Sequence, residues 1–173
     1  MVTRRPEGIA DIPPAHLLVW TVLVAGVELW PVPGWRGLQV SLGFPLLMVV
    51  AFLYPPLAGA LVAFVGSFDP RELRRDADVL LALFNRSQVA LAVLAASLVF
   101  HGLADLHASS TLRLLAAATL ATVADYAVNV TLVGIWASLK YRTRIAKVVR
   151  EFRIGSLPEF LISYLALALL GLV

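Results

Sequence analysis

A chain of 173 residues that is 60% apolar and 14% charged, with a mean hydropathy of +0.87, is built for hydrocarbon, which excludes an ordinary soluble globular domain. Its net charge of +3 comes from 14 Lys and Arg against 11 Asp and Glu, and the lack of cysteine excludes disulfides, thiolate metal sites and thiol nucleophiles. Six spans of about 20 residues would use roughly 120 positions, so no soluble domain of useful size fits beside them.

The N-terminus, MVTRRPEGIADIPPAHLL, has no small-residue cleavage site after its apolar stretch, which predicts a retained first helix rather than a removed signal peptide. That first span is expected over residues 16–30, after Pro13 and Pro14, and is stopped by WPVPGW, whose Trp30 and Trp35 suit a membrane interface. Residues 37–68 form one apolar run broken at Pro55-Pro56. Adjacent prolines remove backbone donors and bar the preceding residue from helical geometry, so two short helices joined by a tight turn are expected. Gly59 and Gly66 allow close helix contact on the second of them.

The polar connection DPRELRRDAD, residues 69–78, carries Asp69, Pro70 and Glu72 at capping positions of a new helix, which makes both carboxylates caps rather than catalysts. A fourth apolar segment covers residues 79–103 and a fifth residues 112–139, joined by HGLADLHASS. In LKYRTRIAKVVREFRIG, Tyr141, Ile145, Val148 and Phe152 recur at helical spacing, with Lys140, Arg144, Lys147, Arg150 and Arg153 around the other face. This basic amphipathic segment suits the surface of an anionic leaflet. Gly155 can end it, and Ser156 with Glu159 forms a capping box for a sixth apolar segment that runs to Val173. No repeat at a fixed period is visible. The expectation is one all-α integral membrane domain over residues 1–173, a bundle of about six transmembrane helices with a short second and third helix hairpin.

Basic residues orient it. With six spans, the connections after helices one, three and five share a side carrying ten basic residues: Arg36, then Arg71, Arg74 and Arg75, then six from Lys140 to Arg153. The other side carries three, Arg4, Arg5 and Arg113, so the positive-inside rule places both termini outside the cytoplasm of a plasma (inner) membrane.

Glu28, Asn85, Arg86, Gln88, Asp125, Tyr126 and Asn129 are polar groups inside apolar segments. An ionisable group at a bilayer centre costs about 2.5 to 3.5 kcal/mol on insertion scales, so it faces protein or water and has a partner. Arg86 and Asp125 fall at similar depths on consecutive spans, which predicts that they pair. Thr119, Thr122, Tyr126 and Asn129 recur at steps of three or four, with Asp125 beside them, giving the fifth helix one polar face. The functional reading is a small-molecule or ion pocket lined by Asn85, Arg86, Gln88, Asp125, Tyr126 and Asn129, with Glu28 nearby. The structural alternative is a buried salt bridge plus interhelical hydrogen bonds that fix register. Glu28, close to its helix end, is expected to reach an interface.

Catalysis has little support. HExxH, GxSxG and CxxC are all missing, and His16, His101 and His107 lie near helix ends or in a connection rather than at metal-ligand spacing. His101, Asp105 and His107 are expected in a solvated loop, not in a metal site. No enzyme, no cofactor and no nucleic-acid partner is expected. The basic stretch points instead to anionic lipid or a cytoplasmic partner.

YPPLAGALVAFVGSFDPRE, LFNRSQVALAVLAASLVFHGL and ADYAVNVTLVGIWASLKYRTRIAKVVREF together resemble the polytopic input domain found ahead of HD-GYP phosphohydrolase or diguanylate cyclase domains in bacterial signalling proteins. The resemblance covers residues 40–173, with Asn85-Arg86 and Asn129 as polar landmarks, and contains no catalytic motif. It implies a membrane sensory module that relays a small-molecule signal to a cytoplasmic output. No HD or cyclase domain follows Val173, so the expectation is either a chain cut before its output domain, which the topology favours, or one that works alone. The layout with short second and third spans is also similar to the substrate-binding S-components of energy-coupling-factor vitamin transporters. That similarity implies a transport subunit; a structural subunit of a larger membrane complex is the third reading.

Overall fold

Proline and glycine divide the chain. The structure, a computed structural model, describes residues 9–29, 32–33, 39–40, 43–68, 72, 78–142 and 144. After a 3-10 turn at Ile9–Asp11, helix α1 runs over Pro14–Glu28, with Pro14 at a first-turn position where a helix needs no N–H donor. Two short strands follow, β1 (Val32–Pro33) and β2 (Gln39–Val40), antiparallel with Val32 opposite Val40. Helices α2 (Gly43–Leu53) and α3 (Pro56–Gly66) flank the Pro55-Pro56 break, as expected. Helix α4 covers Val79–Leu103 and α5 covers Thr111–Tyr141.

Lengths separate these helices into two kinds. The 25 residues of α4 and 31 of α5 make rods long and apolar enough to cross a membrane. Helix α1 has 15 residues and α2 and α3 have 11 each, so at a rise of about 1.5 Å per residue none covers a hydrocarbon core of about 30 Å alone. Among the described residues, therefore, five helices form and two have spanning length. The expected sixth span and its capping box at Ser156 and Glu159 lie outside the described residues.

The proline break explains how the short helices dock. Pro55 has no N–H to offer the carbonyl of Ala51, four residues back, and that orphaned oxygen is taken by Ser97 Oγ of α4 at 2.7 Å. The carbonyl of Tyr54 accepts from His101 Nε2, in the last turn of α4, at 2.9 Å. Nearby, Phe52 stacks on Phe100 with ring centroids 4.3 Å apart. Rising numbers on α2 thus meet rising numbers on α4, so these two run parallel, and α3 returns antiparallel to both. Phe52, Phe100, Met48, Val50, Val62 and Val93 are the bulk of the core at this junction.

Helix α1 lies over α3 and α2. Trp20 Nε1 donates to the Tyr54 hydroxyl at 3.2 Å. Further along, Gly66 passes so close to α1 that a Cβ there would sit 3.0 Å from Val24 Cβ and 3.2 Å from the Thr21 carbonyl oxygen. The glycine is what permits the crossing.

Helices α4 and α5 form an antiparallel pair. Asp78 caps α4, its carboxylate accepting from Leu80 N at 3.0 Å, and Arg113 Nε donates to the Leu103 carbonyl at the far end at 2.6 Å. Asp78 is thus the cap of α4, and the Glu72 carboxylate binds Arg86. Asp69 and Pro70 lie outside the described residues. The buried face of α5 is made of Ala117, Ala118, Ala121, Gly134 and Ala137, small enough for α4 to approach closely. Helix α5 stops at Arg142, whose φ of 51° is left-handed and whose N–H returns to the Ser138 carbonyl.

Candidate ligand site

Polar side chains in the α4–α5 seam are held by a register that three contacts define. Arg113 meets Leu103 at one end, Gln88 Nε2 donates to Asn129 Oδ1 in the middle, and Phe84 stacks on Trp136 at the other end with centroids 5.7 Å apart. In an antiparallel pair with this register, Asp125, one turn along α5 from Asn129, comes level with Ala92, one turn along α4 from Gln88.

The middle of the seam is largely buried. Gln88 is 9% exposed, Thr122 2% and Asp125 3%, and these are buried polar side chains in a bundle whose outer surface is leucine and valine. The Thr122 hydroxyl donates back to the Ala118 carbonyl at 2.9 Å, so it presents only lone pairs to its surroundings. Asp125 forms no hydrogen bond or ion pair with any described residue. The methyl of Ala92, 1% exposed, lies level with it and offers nothing polar.

Arg86 is not part of this seam. Its Nε donates to Glu72 Oε2 at 3.2 Å, its NH2 group reaches the same oxygen, and its guanidinium stands 4.0 Å from the centre of the Phe68 ring. The expected Arg86–Asp125 pair is therefore corrected to Arg86–Glu72. The reason is azimuth: at 3.6 residues per turn Arg86 and Gln88 point about 200° apart, so when Gln88 faces α5 its neighbour faces the α3 side. Matching depth, on which the expected pair rested, is not enough.

The other predicted residues divide similarly. Asn85, half-buried, is one turn below Gln88 on the same stripe, and Tyr126, half-buried, follows Asp125. Thr119 bonds the Leu115 carbonyl at 2.8 Å on the exposed side of α5. Glu28 is the last residue of α1, which packs on α3 and α2, so the structure does not bring it to the α4–α5 seam with the rest. Lys140, in the last turn of α5, holds its ammonium 4.4 Å from the Trp136 ring, and Arg144 is exposed beyond the helix end. Lys147, Arg150 and Arg153 lie outside the described residues.

Sequence reasoning missed Glu72 and Phe68 as partners of Arg86, and Ser97 and His101 as caps of the broken helix. His101 belongs to α4 and not to a solvated loop. The signal for both caps was present: a double proline inside an apolar run leaves carbonyls that some neighbour must satisfy. Among the described residues no three His, Asp or Glu side chains converge as a metal site.

Compared with known proteins, residues 34–172 match the family model MASE9, which describes a membrane-associated sensor family. No curated protein and no solved structure matches the chain.

Proposed function

We propose, from the premise that this chain belongs to the MASE9 family of membrane-associated sensors, that it is a non-catalytic ligand-binding module that passes the occupied state of its α4–α5 seam to a cytoplasmic partner. One observation carries the reading: a polar cluster of buried Gln88, Thr122 and Asp125 with half-buried Asn129 lies between the two helices of spanning length. A single Gln–Asn bond already fixes register. A lone carboxylate beside it adds cost with no structural return, and such a group inside a membrane helix is a functional-site signal.

The reading keeps six apolar segments in the plasma membrane, of which α4 and α5 have spanning length, with the connections before α4 and after α5 on the cytoplasmic side. The segment 140–153 then rests on anionic lipid, beside the end of α5 where Lys140 covers Trp136. An HD-GYP or diguanylate cyclase domain is the output class that the sequence resemblance suggests.

The test is a thermal-unfolding screen of the chain in lipid nanodiscs against fractionated small-molecule extracts. A fraction should raise the midpoint of the native chain and of Leu120→Ala, on the lipid side, but not of Asn129→Leu. Equal responses of all three would overturn the site. Uptake of the active fraction into proteoliposomes would favour the transport reading over sensing.

A further inference from the structure

The charge balance of the seam identifies the class of its ligand. Arg86, the only arginine or lysine in α4, is turned away and engaged by Glu72 and Phe68. On α5, Arg113 is committed to the Leu103 carbonyl at one end and Lys140 to Trp136 at the other. His101, at the far end of α4, is bonded to the Tyr54 carbonyl. Among the titratable groups of the two packed helices, only Tyr126 lies within one turn of Asp125; Tyr141 sits at the C-terminal end of α5. Asp125 is thus a carboxyl group at 3% exposure with no cation opposite it among the described residues.

An isolated carboxylate in a low-dielectric interior is unfavourable unless something positive joins it. An anionic ligand would add a second negative charge to a place that already holds one. Around Asp125, Thr122 has spent its hydroxyl proton on the Ala118 carbonyl and keeps its lone pairs, and Asn129 Oδ1 retains a second acceptor site after taking the Gln88 amide. Oxygen acceptors beside a carboxylate are the donor set of a small cation.

We propose that Asp125 is the recognition group of the α4–α5 site and that the species it takes up is a small cation, either a proton or a monovalent metal ion exchanging with it. This deepens the sensor reading and rests on it for its biological meaning. The chemistry is a simple exchange: when the metal ion enters, the Asp125 carboxyl gives up its proton to solvent, and the reverse occurs on release, so the site's charge is unchanged.

Infrared difference spectroscopy of the chain in nanodiscs tests this directly. Between acidic and alkaline pH the native chain should show a protonated-carboxyl band that shifts on 13C-aspartate labelling and is missing in Asp125→Asn. In Asp125→Glu the band should persist but lose its sensitivity to labelled aspartate, which keeps the assignment secure even where the Asn variant fails to fold. Replacing choline chloride by sodium chloride at constant ionic strength should move the titration to lower pH for a metal-ion site and leave it unmoved for a proton site. A native spectrum without such a band at any pH, or one identical to that of Asp125→Asn, would overturn the proposal. Because the measurement reads the side chain and not any output, that result would leave the sensor reading standing with a neutral ligand.

Discussion

The amide of Gln88 on α4 donates to the side-chain carbonyl of Asn129 on α5, and this bond sets which residues of the two long helices face each other. Each partner is polar on a mostly apolar helix of spanning length.

Asn129→Leu leaves the buried Gln88 amide unsatisfied and should destabilise the bundle by about 1 to 3 kcal/mol. The paired change Gln88→Leu with Asn129→Leu removes both polar groups and should recover part of that loss, with a coupling of about 1 kcal/mol, in the range of interhelical hydrogen bonds in membranes. Thermal unfolding of the four proteins in one detergent measures the cycle. Strictly additive losses would show that the bond contributes nothing to register.

Arg86 should couple to Glu72 and not to Asp125. Removing Glu72 as Glu72→Ala leaves a guanidinium whose remaining partner among the described residues is the Phe68 ring, at a cost of about 1 to 3 kcal/mol that Arg86→Met should largely relieve. By contrast, Arg86→Met and Asp125→Asn should add to within about 0.5 kcal/mol, as independent sites do. A large coupling in the second cycle would contradict the geometry.

Gly66→Ala places a methyl 3.0 Å from Val24 Cβ, so α1 and α3 must separate or Val24 must shift. The expected loss is about 1 to 3 kcal/mol, typical of overpacking in a filled core. Adding Val24→Ala opens space for the new methyl and should return part of the stability. Gly26, where an added methyl would meet nothing within 4 Å, serves as the control, and Gly26→Ala should not destabilise.

Single cysteines at Arg74→Cys and Ala108→Cys should label from opposite faces of intact cells. The motivation is the ten-to-three distribution of basic residues together with the antiparallel run of α4 between those positions. Labelling of both from one face would sink the proposed topology.

The composition alone determined the solvent of this chain, and its punctuation determined most of the helix boundaries. Helix α4 was legible over residues 79–103 because polar stretches bound a long, mostly apolar segment, and the α2–α3 hairpin was legible because two prolines cannot lie inside one helix. These are local properties, decided by backbone chemistry within a few residues. Pairing was not local. Depth along a helix can be counted from sequence, but which side chain meets which depends on the rotation of each helix about its axis, and packing sets that rotation. The α4–α5 seam turned Gln88 inward, and with it turned Arg86 about 200° away toward Glu72. The same packing gave the orphaned carbonyls of Ala51 and Tyr54 to Ser97 and His101. Only the tertiary structure decided that Asp125 stands without a cation among the described residues, because a side chain's isolation depends on every neighbour at once.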